Sequence, residues 1–215
     1  MANFEYENEL RKKGITIIGG TDEAGRGPLY GPVVASCVVL NDNFDIKGIN
    51  DSKKLSEKKR EEYYDYIMQN AIVGVSIISN EEIDKINIYE ASRKAMMEAI
   101  RKVQEKVKLQ YVLTDAMKLP ELEIEHLPII KGDAKSASIA AASIIAKVTR
   151  DRIMYEIDKK FPEYEFAKHK GYPTKRHIEL LNKYGIIDGY RLSYGPVKKI
   201  LEGEKNATKE LSEQC

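Results

Sequence analysis

An α/β fold with a mixed central β-sheet flanked by helices is what the sequence predicts, on three observations. Apolar runs of strand length gather early in the chain. Runs of helical length, amphipathic or rich in small residues, then alternate with further strand-like runs. No repeat or linker divides the 215 residues, so one domain is expected.

Gly14 to Gly20 (GITIIGG) is a short apolar run entering a Gly-rich turn and reads as the first strand. Val33 to Leu40 (VVASCVVL) reads as the second, and its near-continuous apolar character predicts burial on both faces. The segment between them, TDEAGRGPLYGP, holds three glycines and two prolines and reads as a loop with unusual backbone demands. Ser56 is placed to cap a charged helix running to about Asn70, and Ala71 to Ile78 (AIVGVSII) follows as a third strand. Ser79 and Glu82 have capping-box spacing and open a short helix. Ala91, Ala95, Ala99, Val103 and Val107 recur at steps of four, with Ile88, Met96 and Ile100 beside them, which predicts a long amphipathic helix.

Tyr111 to Thr114 (YVLT) reads as a fourth strand ending at Asp115, and Leu127 to Ile130 as a fifth ending shortly before Asp133. From Ser136 the run SASIAAASIIAKVTRDRIMYEIDKKF reads as a helix whose small-residue first half lets it approach a sheet closely, which puts it at the centre of the core. Pro173 and Thr174 open a helix toward Tyr184, Pro196 opens a last short one, and the polar tail GEKNATKELSEQC is expected to be disordered.

Composition narrows the function classes. Charged residues make up 32% and hydrophobic ones 42%, which excludes collagen-like, mucin-like and wholly disordered chains. No run reaches the length of a membrane span, and MANFEYENELRKKG lacks the apolar stretch of a signal peptide. The two cysteines, Cys37 in an apolar run and Cys215 at the end, make no disulfide framework, so a cytoplasmic protein is expected. His126, His169 and His177 are too scattered for a zinc site. The net charge of +1 hides an asymmetry: 131–202 carries 15 basic and 9 acidic residues, the remainder 20 basic and 25 acidic. The later part is thereby a candidate basic surface.

Three predicted strand ends finish in acids: Asp22 and Glu23, Asp115, and Asp133. Taken singly, a strand-terminal aspartate is an ordinary turn former. Together, in a sheet whose strand ends meet at one edge, they make a candidate catalytic and metal site. Four carboxylates at one spot do not all stay ionised without a cation, and an all-oxygen ligand set suits Mg²⁺ or Mn²⁺. Two such ions about 3.5–4 Å apart activate water and stabilise the leaving oxygen of a phosphodiester.

Gly25-Arg26-Gly27 follows the acidic pair. It belongs to no GxxxxGK[ST] pattern, and a dinucleotide fingerprint fails because Tyr30 stands at the last glycine's place and Pro28 and Pro32 forbid the helix. A tight turn, or a loop whose amides approach a ligand, remains. Lys168-His169-Lys170-Gly171-Tyr172 with Lys175, Arg176 and His177 mixes cations with a ring, as nucleic-acid contacts do and solvated loops also do. Asp151 is expected in a helix-surface ion pair. Ser143 and Lys147, at helical spacing, are read as packing and not as a nucleophile pair.

The blocks GGTDEAGRGPLYGPVVAS, DSKKLS, TDA, GDAKSASIAAASIIAKVTRD, HKGYPT and YRLSYGPV, in that order, resemble bacterial ribonuclease HII, the type 2 ribonuclease H family. The likeness spans about Ile15 to Val197, and the first and fourth blocks are highly specific. Ribonuclease HIII differs in the loop after its acidic pair and has a long extra N-terminal region. Tyr194 departs from the family's pattern, which has Phe there.

The resemblance implies a ribonuclease H-like fold with a small C-terminal helical part: a catalytic domain over 1–202, of which about 165–202 contacts substrate. It implies endonucleolytic cleavage of RNA in RNA/DNA hybrids and at single ribonucleotides in DNA, leaving a 3′-hydroxyl and a 5′-phosphate. Asp22, Glu23, Asp115 and Asp133 match the family's metal-binding carboxylates, with Asp22 bridging the ions. Gly25, Arg26 and Gly27 match the loop that contacts the ribose 2′-hydroxyl, and Tyr172 the ring stacked on the adjoining deoxyribose. Lys168, Lys170, Lys175 and Arg176 are expected to hold the nucleic-acid backbone, and the protein to be a monomer without a membrane partner. The alternatives are a non-catalytic nucleic-acid-binding module and another metal-dependent nuclease on the same fold.

Overall fold

The computed structural model of the chain describes residues 2–41, 43–49 and 55–203. Most of the DSKKLS block (51–54), Cys215 and the tail after residue 203 lie outside the described residues.

Val33–Leu40 forms β2, buried along its whole length as its composition predicts. Side chains alternate across a strand. Val33, Ala35, Cys37 and Val39 therefore enter one apolar cluster, while Val38 and Leu40 enter another on the opposite face. β2 is flanked by antiparallel partners, β1 (Ile18–Ala24) and β3 (Ala71–Ile78). Beyond β1 lie β4 (Tyr111–Asp115) and β5 (His126–Ile129), both parallel, giving a mixed sheet of order β3-β2-β1-β4-β5.

Helices cover both faces. α1 spans Glu5–Lys12 and α2 spans Glu57–Asn70, with Ser56 capping the latter by accepting from the Lys59 amide. α3 (Asn80–Gln104) starts at Ser79, which accepts from the Glu82 amide, and breaks at Asn87. Asn87 has φ 68°, and its side chain caps the second half by accepting from the Tyr89 and Glu90 amides. The expected short helix and long helix are thus one element with a capped kink. Ala91, Ala95, Met96, Ala99 and Ile100 seal one face of the sheet. α4 (Ala137–Lys160), capped by Ser136, seals the other with Ala137, Ala140, Ala141, Ile144 and Ile145.

α4 lies close against β1. A Cβ added at Gly20 would overlap the Ser138 backbone, so glycine is what permits the approach. Ser36 of β2 ties the same helix by donating to the Ala142 carbonyl at 2.7 Å. The C-terminal part holds α5 (Phe166–His169), α6 (Lys175–Tyr184, capped by Thr174) and a last helix at 195–203. It packs on α4 and the 28–31 segment through Leu29, Tyr30, Met154, Tyr164, Phe166, Leu181, Tyr190 and Val197.

Three expectations need correction. The first strand begins at Ile18 and runs through Ala24, so Asp22 and Glu23 sit inside a paired strand opposite Ser36 and Ala35, where a loop was expected. β2 extends the antiparallel ladder past the point where the glycines suggest a turn. α1 has no counterpart in the sequence reading, because its apolar content is little more than Tyr6 and Leu10, and contacts distant in sequence hold it. Asp151 does pair with Lys147, at 2.7 Å, but it is only 4% exposed, so the pair is buried and not on the surface.

Candidate active site

β1 and β4 run parallel with Thr21 opposite Thr114, so their next residues, Asp22 and Asp115, emerge side by side. The chain then returns through β5 to a single 3-10 turn, Gly132–Ala134, that carries Asp133. Asp115 anchors this turn: its Oδ1 accepts from the Gly132 amide at 2.7 Å. Asp22, Asp115 and Asp133 each present a carboxylate oxygen, and these oxygens lie within 4.8 Å of one another. Glu23 stands outside that trio. Alternation sends it to the opposite side from Asp22, although both border one cleft at the strand end.

Electrostatics at this spot oppose three free anions. Burial, then repulsion from Glu23 and Asp115, push the Asp22 carboxyl well above the usual range, although it accepts the Glu23 amide at 2.7 Å. Burial also raises Glu23, offset in part by Arg26, whose guanidinium lies 3.3 Å from Oε1. The other oxygen, Glu23 Oε2, is buried with no hydrogen-bond partner among the described residues. A cluster of buried and half-buried carboxylates that repel one another, with an orphaned oxygen beside it, has the electrostatics of a cation site. The donors are all oxygen, which fits a hard divalent ion.

The cleft has a volume of about 320 Å³, and its wall includes Asp22, Glu23, Asp115, Gly25, Arg26, Gly27 and Tyr172. Gly25 takes φ +102°, and a Cβ there would strike the Arg150 side chain. Behind the loop stand two buried arginines, neither of which the sequence singles out. Arg150 donates to the carbonyls of Pro32, Lys170 and Tyr30, each at 3.0 Å. Arg191 donates to Gly25 (2.6 Å), Arg26 (3.1 Å) and Gly31 (2.9 Å), and to the Tyr194 hydroxyl at 2.9 Å. Tyr194 donates in turn to the Arg26 carbonyl at 2.6 Å, which gives the unexpected hydroxyl a use. Burial, then the nearby Arg191, lower the Arg150 guanidinium to about 10, still charged at neutral pH.

Tyr172 is 41% exposed, and its ring faces Gly27 across the cleft. Two histidines hold its loop. His177 Nε2 lies 2.9 Å from the Tyr190 hydroxyl, and its Nδ1–H donates to the Tyr172 carbonyl at 2.9 Å. His169 Nδ1 accepts from Gly171, so Nε2–H donates to the Tyr164 carbonyl. The two rings stack at 4.1 Å. His126 lies elsewhere, accepting from the Leu119 amide.

The predicted cations divide. Lys168 and Arg176 both pair with Glu165, at 2.8 and 2.5 Å, and hold that carboxyl down to about 2. Lys170 donates to the Ala167 carbonyl and lies 3.9 Å over the Tyr155 ring. Lys175 is exposed on the first turn of α6. Ser143 and Lys147 line the cleft, but Ser143 donates to the Ala140 carbonyl and Lys147 is held by Asp151, so they form no nucleophile pair.

A family model described as Ribonuclease HII matches residues 19–195. The chain belongs to the ribonuclease HII family. Ribonuclease HII of Bacillus mycoides (strain KBAB4) is 54% identical over 199 residues, covering 92% of this chain and 76% of that one. Among solved structures, ribonuclease H2 of Pyrococcus horikoshii superposes with TM-score 0.73 at 28% identity, over 86% of this chain and 97% of that one. Ribonuclease HII of Archaeoglobus fulgidus, solved in complex with PCNA, gives 0.72 at 29%, over 82% and 92%. The chain therefore has the ribonuclease H-like fold and is an enzyme, an endoribonuclease of the ribonuclease H class.

Proposed function

We propose that this ribonuclease HII hydrolyses the RNA strand of RNA/DNA hybrids and cuts duplex DNA 5′ to a single embedded ribonucleotide, leaving a 3′-hydroxyl and a 5′-phosphate. The observation that carries the reading is the convergence of Asp22, Asp115 and Asp133 within 4.8 Å, beside a cleft that Asp22 and Asp115 share with the Gly25-Arg26-Gly27 loop and Tyr172. Asp22, Glu23, Asp115 and Asp133 would hold two divalent ions, Mg²⁺ or Mn²⁺, with Asp22 between them. Bound there, such ions supply an activated water and neutralise charge on the leaving oxygen of a phosphodiester.

The chain's own groups do the reading of substrate. A trans peptide points its C=O and N–H in opposite directions. With the Gly25 and Arg26 carbonyls tied to Arg191, the amides of Arg26 and Gly27 face away from it. A ribose 2′-hydroxyl is the group that distinguishes RNA from DNA at such a position. An all-DNA strand leaves a loop donor unpaired, which discriminates strongly. Tyr172 would stack on the adjoining deoxyribose, and Lys175 with Lys168, Lys170 and Arg176 would follow the backbone. Glu165, which neutralises two of those four, makes them weak contacts until nucleic acid displaces it.

The catalytic unit would cover 1–202, with about 165–202 contacting substrate, and would act as a cytoplasmic monomer. Among the described residues no helix is long and apolar enough to cross a membrane. The test is cleavage of three labelled duplexes: an RNA/DNA hybrid, a DNA duplex with one ribonucleotide, and an all-DNA duplex. The first two should be cut, the second once, 5′ to the ribonucleotide. Equal cutting of the third would point to a general DNA nuclease; binding without cutting would point to a non-catalytic module.

A further inference from the structure

The segment preceding residue 19 lies outside the family match, yet α1 reaches the start of α4, just after the turn that bears Asp133. Glu7 is the contact. Its carboxylate is buried, and Oε1 accepts from the Ser136 hydroxyl (2.7 Å), the Ser138 amide (3.0 Å) and the Ser138 hydroxyl (2.7 Å). Asn3 adds a short bridge on the same stretch: its amide donates to the Lys135 carbonyl at 3.1 Å, and the Ala137 amide donates to its carbonyl at 2.9 Å. A buried carboxylate is costly unless hydrogen-bonded, and this one is held through Oε1 alone, Oε2 having no hydrogen-bond partner among the described residues.

The consequence is a turn held from both sides. Asp115 fixes Gly132 upstream; Glu7 and Asn3 fix 135–138 downstream; Asp133 lies between. A three-residue 3-10 turn has few bonds of its own, so its flanks set where its side chain points. Metal ligands need placement within about 0.5 Å.

We propose that Glu7 is a positioning residue for Asp133, acting on metal affinity through the N-terminus of α4. The proposal rests on the metal-site reading above. It concerns geometry and not charge: any acceptor at the Oε1 position serves, and one that falls short does not.

The test is Mn²⁺ binding followed by calorimetry without substrate, on the full chain and five variants. Glu7→Gln keeps the acceptor and should bind within about threefold of the parent. Glu7→Asp keeps the charge but loses reach, and should bind about tenfold more weakly, the scale of an outer-sphere partner's loss. Its kcat at saturating metal should return to the parent value, with the shift confined to the metal half-saturation. Leu10→Ala loosens the packing of the same helix without touching these bonds and should leave Mn²⁺ affinity unchanged. If Glu7→Asp fails to fold, Ser138→Ala, which removes one donor, should still weaken binding beyond the range allowed to Glu7→Gln, toward the roughly tenfold loss of an outer-sphere partner.

Asp133→Asn distinguishes the two layers. Parent-like affinity in Glu7→Asp with loss in Asp133→Asn overturns the role of Glu7 alone, as does an equal weakening by Leu10→Ala. Parent-like affinity in Asp133→Asn overturns the metal-site reading and the positioning role with it.

Discussion

Arg191 donates through Nη2 to the Gly25 carbonyl at 2.6 Å, and the same guanidinium reaches the Arg26 carbonyl and the Tyr194 hydroxyl. A buried guanidinium with no carboxylate among these partners is costly, and its return here is a loop of defined shape. Lysine offers a point charge in place of a planar fork. Arg191→Lys should therefore lower kcat/KM on a single-ribonucleotide duplex by tenfold or more, by about 1.4 kcal/mol or more, and narrow the preference over all-DNA duplex. Mn²⁺ affinity should not move. Steady-state kinetics on the two duplexes check it.

Tyr194→Phe removes one of two donors to the Arg26 carbonyl, while Arg191 keeps the other. The cost should be about 1 kcal/mol, the net worth of one hydrogen bond. Thermal unfolding and cleavage rate should both fall slightly, with product ends unchanged.

Gly20→Ala should be a stability variant. Its Cβ would meet the Ser138 backbone, which belongs to the central helix and cannot yield as a side-chain tip can. Overpacking of this kind costs about 1–3 kcal/mol, and Tm should drop by about 2–4 °C per kcal/mol for a chain of this size. A scanning-calorimetry trace matching the parent would show that α4 can shift outward.

His177 makes stability depend on pH. Burial, and then the stacked His169, lower it from an ordinary 6.5 to about 4. The unfolded chain therefore takes up the proton first, so the contribution is complete above pH 6.5 and declines as pH falls toward 4. The full span is on the order of 3 kcal/mol. Urea unfolding between pH 7.5 and 4 should show the decline, and His177→Gln should flatten it.

Much of this is legible in the sequence itself. The bounds of β2, β3 and α2, and the start of α4 at about Ser136, follow from runs of apolar or small residues and from the capping side chain of Ser56, which are local signals. β1 was misplaced because its extent is decided by pairing with β2, a contact made outside the segment itself. α1 was invisible because its anchor, Glu7, looks in sequence like any other surface acid. The three aspartates are marked in the sequence by the apolar runs they follow, although only Asp115 ends a strand. Arg150 and Arg191 are not marked, since their partners are backbone carbonyls, which every residue carries. The block YRLSYGPV contained Arg191 but not what it holds. The basic run around Tyr172 reads from its residues either as nucleic-acid contacts or as a solvated loop, and nothing local marks Glu165 as the acid that engages Lys168 and Arg176.

The central claim is that Asp22, Asp115 and Asp133, with Glu23 beside them, act by holding divalent ions. The most direct measurement is single-turnover cleavage of a labelled DNA duplex containing one ribonucleotide, after chelation and then with Mg²⁺ or Mn²⁺ restored. The account predicts no cutting under chelator, recovery with either ion, and none in Asp133→Asn although the duplex still binds. Undiminished cutting in chelator, or full turnover by Asp133→Asn, would contradict it.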